Sequence, residues 1–198
     1  MREYLPTEVL QAIVALLDKE YDWFAAARVC RALRVACPGP YKTTLCAVVR
    51  SVSLMKWART EGCPWDDRTC SAAAHGGHLE VLKWLRTQKC HWNQNTCDSA
   101  AQGGSLEVLK WMHTEGCKWN FGTSQRAAEE GHVDVLEWLH SEGCPCGKGV
   151  CYVAALQGHL GVLKWARAHG FPWDRKKCMA LAQNTHPDVF QWLFSHTA

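Results

Sequence analysis

One period constrains this chain more than any other feature. Trp57, Trp84, Trp111, Trp138, Trp165 and Trp192 stand 27 residues apart without an insertion. Trp65, Trp92, Trp119 and Trp173 keep the same spacing, with Cys146 in the vacant slot. Ten of the eleven tryptophans thus share one register. A fixed period of roughly 20–50 residues marks a stacked array, in which each unit buries its apolar side on its neighbours.

Superimposing the units on one another places their helices. Asp66, Asn93, Asn120, Gly147 and Asp174 share one position, where Asp, Asn and Gly suit a helix N-cap. Small pairs follow at Ala73-Ala74, Ala100-Ala101, Ala127-Ala128 and Ala154-Ala155, which lets neighbouring helices approach closely. Gly77, Gly104, Gly131 and Gly158 then stop the first helix. A second helix begins after His78, Ser105, His132, His159 and His186, with Ser105 suited to capping. It ends at Gly62, Gly116, Gly143 and Gly170, with Lys89 the exception. Each unit is expected to be two helices of about eleven residues. In the second helix, Leu79, Val81, Leu82, Trp84 and Leu85 take up most of the circumference, so neighbours must cover both flanks. Glu80, Lys83 and Arg86 are left as a solvated strip, and the tryptophans are assigned to the core between units.

Composition excludes more than it suggests. A net charge of +3 is too small to argue for nucleic acid or a lipid surface, and base stacking on tryptophan needs a basic stripe beside it. No apolar run is long enough to span a membrane. The opening MREYLPTEVL lacks a signal peptide's apolar centre, which points to an intracellular, cytoplasmic protein. The twelve cysteines follow the register: Cys70, Cys97, Cys151 and Cys178 share a position with Ser124, and Cys63, Cys90, Cys117 and Cys144 share one with Phe171. Positions that accept Ser or Phe are packing positions, so neither disulfides nor a metal site is expected. The histidines at 78, 132, 159 and 186 occupy one helix-start position, and the others lack a nucleophile and carboxylate at motif spacing. The expectation is a non-enzymatic protein without cofactor.

The run TCSAAAHGGHLEVLKWLRTQKC, residues 69–90, resembles the ankyrin repeat and recurs through residues 39–198. The unit is shorter than ankyrin's 33 residues, and Trp stands where ankyrins carry Leu. In this it is similar to the tryptophan-rich ankyrin variety of protists and their large DNA viruses, whose cytoplasmic setting would be the host's. The resemblance implies an all-α, ankyrin-like solenoid of stacked helix pairs. Residues 1–38 fall outside the tryptophan register and carry their own pattern, LPTEVLQAIVALLD followed by VCRALR. This segment resembles the N-terminal part of an F-box. The resemblance implies binding to the Skp-type adaptor of a cullin ubiquitin ligase through Leu5, Pro6, Val9, Ile13, Leu17, Val29, Cys30 and Leu33. Equally, any solenoid needs an end cap, and residues 1–38 would supply one for a scaffold or inhibitor that binds its protein partner directly.

A target protein would be read by the face of the first helices turned away from Ala73-Ala74. Its candidates are Arg68, Ser71, His75, Asp98, Gln102, Gln125, Glu129, Tyr152, Val153, Leu156, Met179 and Gln183. These vary from unit to unit while the inward positions are monotonous, and Tyr152, Val153, Leu156 and Met179 form an apolar group. At the far end, Phe190 falls in a core register and Phe194 in an exposed one. No further unit covers this last helix, so weak homodimerisation through residues 186–198 is expected.

Overall fold

The computed structural model describes residues 66–195 together with Val52, Met55 and Lys56. Over residues 66–195 the chain forms ten helices and no strand. They alternate as first and second helices of five units: α1 Asp67–His75 and α2 Leu79–Thr87, α3 Gln94–Gln102 and α4 Leu106–Thr114, α5 Phe121–Glu129 and α6 Val133–Ser141, α7 Lys148–Gln157 and α8 Leu160–Ala168, α9 Arg175–Ala182 and α10 Pro187–Ser195. The first helices form one row, α1 against α3, then α5, α7 and α9 in turn, and each second helix packs on its own first helix. The expected all-α solenoid is the observed fold.

The helices are mostly nine residues long rather than eleven, because side-chain caps start most first helices and left-handed turns stop helices of both kinds. At the start of α1 the Asp66 carboxylate accepts from the N–H groups of Arg68 (3.0 Å) and Thr69 (3.2 Å). Asn93 and Asn120 cap α3 and α5 in the same way, and Thr69, Thr96 and Thr123 each return a hydroxyl to the cap N–H. These reciprocal capping boxes explain three fully buried threonines. Gly147 has no side chain to cap α7, and Val150 replaces the threonine there. Ser105 starts α4 but makes no side-chain capping bond, unlike the expectation.

The stops are left-handed, at φ 71° for Gly77, 67° for Gly104, 81° for Gly131 and 82° for Gly158. Second helices end similarly, with Lys89 forced to φ 58° where other units use glycine. In each case the chain turns back so that a following N–H reaches a carbonyl of the last turn, as in His78 to Ala73 (2.9 Å) and Cys90 to Leu85 (3.0 Å).

The core repeats with the sequence. Cys70, Ala73 and Ala74, and their equivalents through Cys151, Ala154 and Ala155, lie buried between first helices. Leu82, Leu109, Leu136 and Leu163 fill the space under the second helices. Truncating any of these leucines to Ala would cost about 2–5 kcal/mol.

Histidine joins one unit to the next. Nε2 of His132, His159 and His186 lies 3.0, 2.8 and 2.9 Å from the carbonyl oxygens of Gln102, Glu129 and Leu156 in the preceding unit. Each ring lies over the glycine stop of that preceding unit, Gly104, Gly131 or Gly158. The register reading of these histidines as structural therefore gains a specific bond.

Three expectations are corrected. Most described tryptophans are half-buried against the core rather than inside it, and Trp165 alone among them is buried. Their indoles pack largely on one another, Trp92 on Trp111, Trp119 on Trp138 and Trp173 by Trp192. Phe190 is half-buried, whereas Phe194 is exposed as expected. Finally, the cysteines do more than pack. The two register positions face each other within a unit, so Cys70 and Cys90 have their sulfurs 3.2 Å apart and Cys97 is joined to Cys117 by a disulfide.

Candidate protein-interaction surface

The outer face of the first-helix row is the candidate surface, and its geometry follows from the alanine side. With the 70, 73 and 74 positions turned inward, positions 68 and 75 project furthest: Arg68, His75, Leu156 and Gln183 are exposed, while Gln102 and Glu129 are half-buried. Gln102 Nε2 donates to Glu130 Oε1 (3.3 Å), and Arg126 pairs with Glu129 (2.8 Å), so charge on this face is partly matched internally.

Position 71 behaves differently from a free surface position. Ser71 Oγ lies 3.4 Å from Thr96 Oγ1, and Thr123 Oγ1 donates to Asp98 Oδ1. Gln125 lies over Gly149, where an added Cβ would collide with its amide. Lys177 Nζ sits 4.1 Å from the centre of the Tyr152 ring. All four side chains lean onto the following first helix, so their variety tunes the join between units as well as the face.

The apolar group is assembled across two neighbouring helices. Tyr152 and Val153 on α7 and Met179 on α9 are half-buried against the core, and Leu156 is 48% exposed. The sequence reading missed Phe121, which opens α5 and is 57% exposed. Its ring lies 3.6 Å from the Cβ that a side chain at Gly147 would carry. The register held the signal: Asp67, Gln94, Lys148 and Arg175 are its equivalents, all polar. The segment carrying Leu5, Pro6, Val9, Ile13, Leu17, Val29, Cys30 and Leu33 lies outside the described residues.

On the loop side of the stack, aromatic rings form a ladder. Trp92 packs edge-on to Trp111 at 5.4 Å, Trp119 to Trp138 at 5.5 Å, and Trp173 approaches Trp192 at 6.0 Å. The other face of each loop indole is taken by Arg86 over Trp92, His113 on Trp119 and Arg167 over Trp173. Those ring faces are thus already occupied, and each cation–π contact contributes about 0.5–1 kcal/mol. The exposed strip behind them carries the Lys83–Glu80 pair at 2.8 Å.

Burial pushes the Cys151 thiol up to about 11 and Cys178 to about 12, and it raises Cys70 further, aided by Cys90. Cys146 goes the other way, down to about 7, chiefly because Cys144 hydrogen-bonds to it. Among the described residues no group of three His, Cys, Asp or Glu side chains converges as a metal site would require. No described helix is long and apolar enough to cross a membrane.

An F-box-like family matches residues 3–42. Among 187 matching chains of solved structures is the crystal structure of the human ASB11 ankyrin repeat domain. It superimposes with a TM-score of 0.59 at 16% identity, over 79% of this chain and 85% of that one. No curated protein sequence matches. The chain therefore has an F-box-like segment ahead of an ankyrin-repeat fold.

Proposed function

We propose that the chain is a substrate-recruiting adaptor, in which residues 1–38 hold the Skp-type adaptor of a cullin ubiquitin ligase and residues 39–198 capture a target protein. The observation that carries this reading is the F-box-like match at residues 3–42 directly ahead of a helical stack of ankyrin type. Both parts belong to classes that act by contact rather than by chemistry. On the N-terminal side, Leu5, Pro6, Val9, Ile13, Leu17, Val29, Cys30 and Leu33 are the adaptor-binding residues. On the stack, Arg68, His75, Leu156, Gln183 and the apolar group with Tyr152, Val153 and Met179 supply target contacts, joined by Ser71, Asp98, Gln102, Gln125, Glu129 and Phe121. This role places the protein in the cytoplasm. The exposed Phe194 on α10 supports weak self-association as well.

Co-purification with a Skp-type adaptor tests the proposal. The intact protein should retain the adaptor, and Leu5→Asp with Pro6→Ala should lose it while the far-UV circular dichroism stays unchanged. Failure of the intact protein to bind, or binding indifferent to the double substitution, overturns it. Deleting residues 1–38 separates the competing reading: a mere end cap predicts a destabilised, poorly soluble stack, and an adaptor-binding segment predicts a folded one.

A further inference from the structure

Of the five described units only the fourth lacks a carboxylate. Between Glu142 and Asp174 the chain carries Lys148, Lys164 and Arg167 and no acidic residue. Gly161 stands where Glu80, Glu107 and Asp134 stand in earlier units, so Lys164 lacks the carboxylate that Lys83 finds in Glu80. The same unit supplies Tyr152, Val153 and Leu156 to the apolar group, with Met179 beside them on α9. Cations border that group. Lys177 Nζ lies 4.1 Å from the centre of the Tyr152 ring. Lys148 is exposed one turn before Tyr152 on the same side of α7, and Lys176 is exposed in the first turn of α9. On the neighbouring first helices charge is matched within the chain: Asp98 accepts from Thr123, Glu130 accepts from Gln102, and Glu129 pairs with Arg126. On α9, Arg175 is held by the carbonyls of Leu193 and Phe194, and Asp174 accepts from the Lys177 N–H as the helix cap. Among the described residues Lys148 and Lys176 have no ion-pair partner. The unmatched charge of the first-helix row at this end is therefore positive.

Resting on the reading that residues 39–198 capture a target protein, we propose that the α7–α9 face binds an acidic amphipathic segment of that target. An aliphatic or aromatic side chain of the segment covers Leu156, Tyr152 and Met179, and its carboxylates meet Lys148, Lys176 and Lys177. The cation–π contact does not exhaust Lys177, because an ammonium has three N–H donors to offer. Apolar area alone would accept a segment of any charge. The lysines at its border repel a basic one and attract an acidic one, and this complementarity sets partner choice and association rate. Nucleic acid fits the face less well. One side of the Tyr152 ring is already covered by Lys177, so no open aromatic platform stacks a base, and the apolar centre offers nothing to a phosphate backbone.

The experiment selects binders to the full chain from a displayed library of random short peptides. Enriched peptides should carry Asp or Glu beside Leu, Ile or Phe. The affinity of the best of them, read by fluorescence anisotropy, should fall on the order of 10-fold for Lys148→Glu with Lys176→Glu. Leu156→Ala should weaken it roughly 10-fold through lost apolar contact, and added salt should weaken it further. Lys110→Glu, on the solvated strip of α4, should leave it unchanged, and far-UV circular dichroism should be the same for every variant. A library without enrichment, enrichment of basic peptides, or binding indifferent to the double lysine substitution overturns the proposal. So does a single-stranded oligonucleotide that binds the wild type and displaces the peptide from it. Residues 1–38 take no part in this contact, so the two readings fail separately. A chain that binds the acidic peptide but not the Skp-type adaptor refutes the ligase role alone, and one that retains the adaptor but selects no acidic peptide refutes the site alone.

Discussion

Two glycines with nearly the same backbone should differ in what an added methyl costs, and the difference isolates the histidine bridge. Gly104 (φ 67°) and Gly116 (φ 78°) are both left-handed, so Ala at either carries a strain of about 1–2 kcal/mol. Beside Gly116 the new Cβ meets nothing within 4 Å. At Gly104 it would fall 2.6 Å from His132 Cε1, and the ring must swing away. Swinging breaks its bond to the Gln102 carbonyl, which adds about 0.5–1.5 kcal/mol. Gly104→Ala should therefore cost about 1 kcal/mol more than Gly116→Ala, read from urea denaturation by far-UV circular dichroism. In a His132→Ala background the two substitutions should become equal, since the collision and the bond are both gone. Equal costs in the wild type, or an excess at Gly104 that survives His132→Ala, would refute the bridge as the cause.

Other outcomes follow from other parts of the stack. Thr123→Val keeps the shape of a buried side chain but removes its bonds to Asn120 N and Asp98, and should cost about 1–3 kcal/mol by thermal denaturation. Arg175 donates to the carbonyls of Leu193 (2.7 Å) and Phe194 (2.9 Å) at the end of α10; Arg175→Ala should speed amide exchange in that helix roughly fivefold, for a loss of about 1 kcal/mol. Alkylation of Cys146 by iodoacetamide should rise as pH increases through a midpoint of about 7, because the thiolate is the reacting form. A midpoint no lower than that of an ordinary thiol would contradict the Cys144 hydrogen bond. Phe194→Glu should abolish any concentration dependence of the sedimentation coefficient, and a wild type that is monomeric throughout would exclude self-association by α10.

Periodicity made the helices and their inward faces readable before any coordinates. A 27-residue repeat fixes which positions are equivalent, and equivalence separates Ala73-Ala74 from Ser71 without knowing the fold. Glycine stops were equally legible, because left-handed backbone leaves few other choices, and Lys89 shows the exception holding the same φ. What the register hid was contact between units. Equivalent residues reveal what each position tolerates, not which neighbour it leans on, so the role of the threonines in capping and of position 71 in bridging emerged only in space. The tryptophans misled for a related reason: a large apolar residue at a strict period signals packing, but a seam packs as strictly as a core. Phe121 stands in the register as an apolar residue among polar equivalents, Asp67, Gln94, Lys148 and Arg175, but only the structure shows that its ring is exposed.

The bridges between units carry a consequence for how the chain reaches this structure. Hydrogen bonds from one unit to the next, such as Asn93 to Asp67, Thr123 to Asp98 and His132 to Gln102, span between 25 and 30 residues. Low sequence separation of contacts makes folding fast, because little loop entropy is lost before the contacts form. Within residues 66–195 each join needs a loop of nearly the same length, so a nucleus at α5 and α6 is no harder to close than one at α1 and α2. Assembly can begin wherever two neighbouring units meet first and spread in both directions, and the starting point will be set by local packing strength rather than by position in the chain.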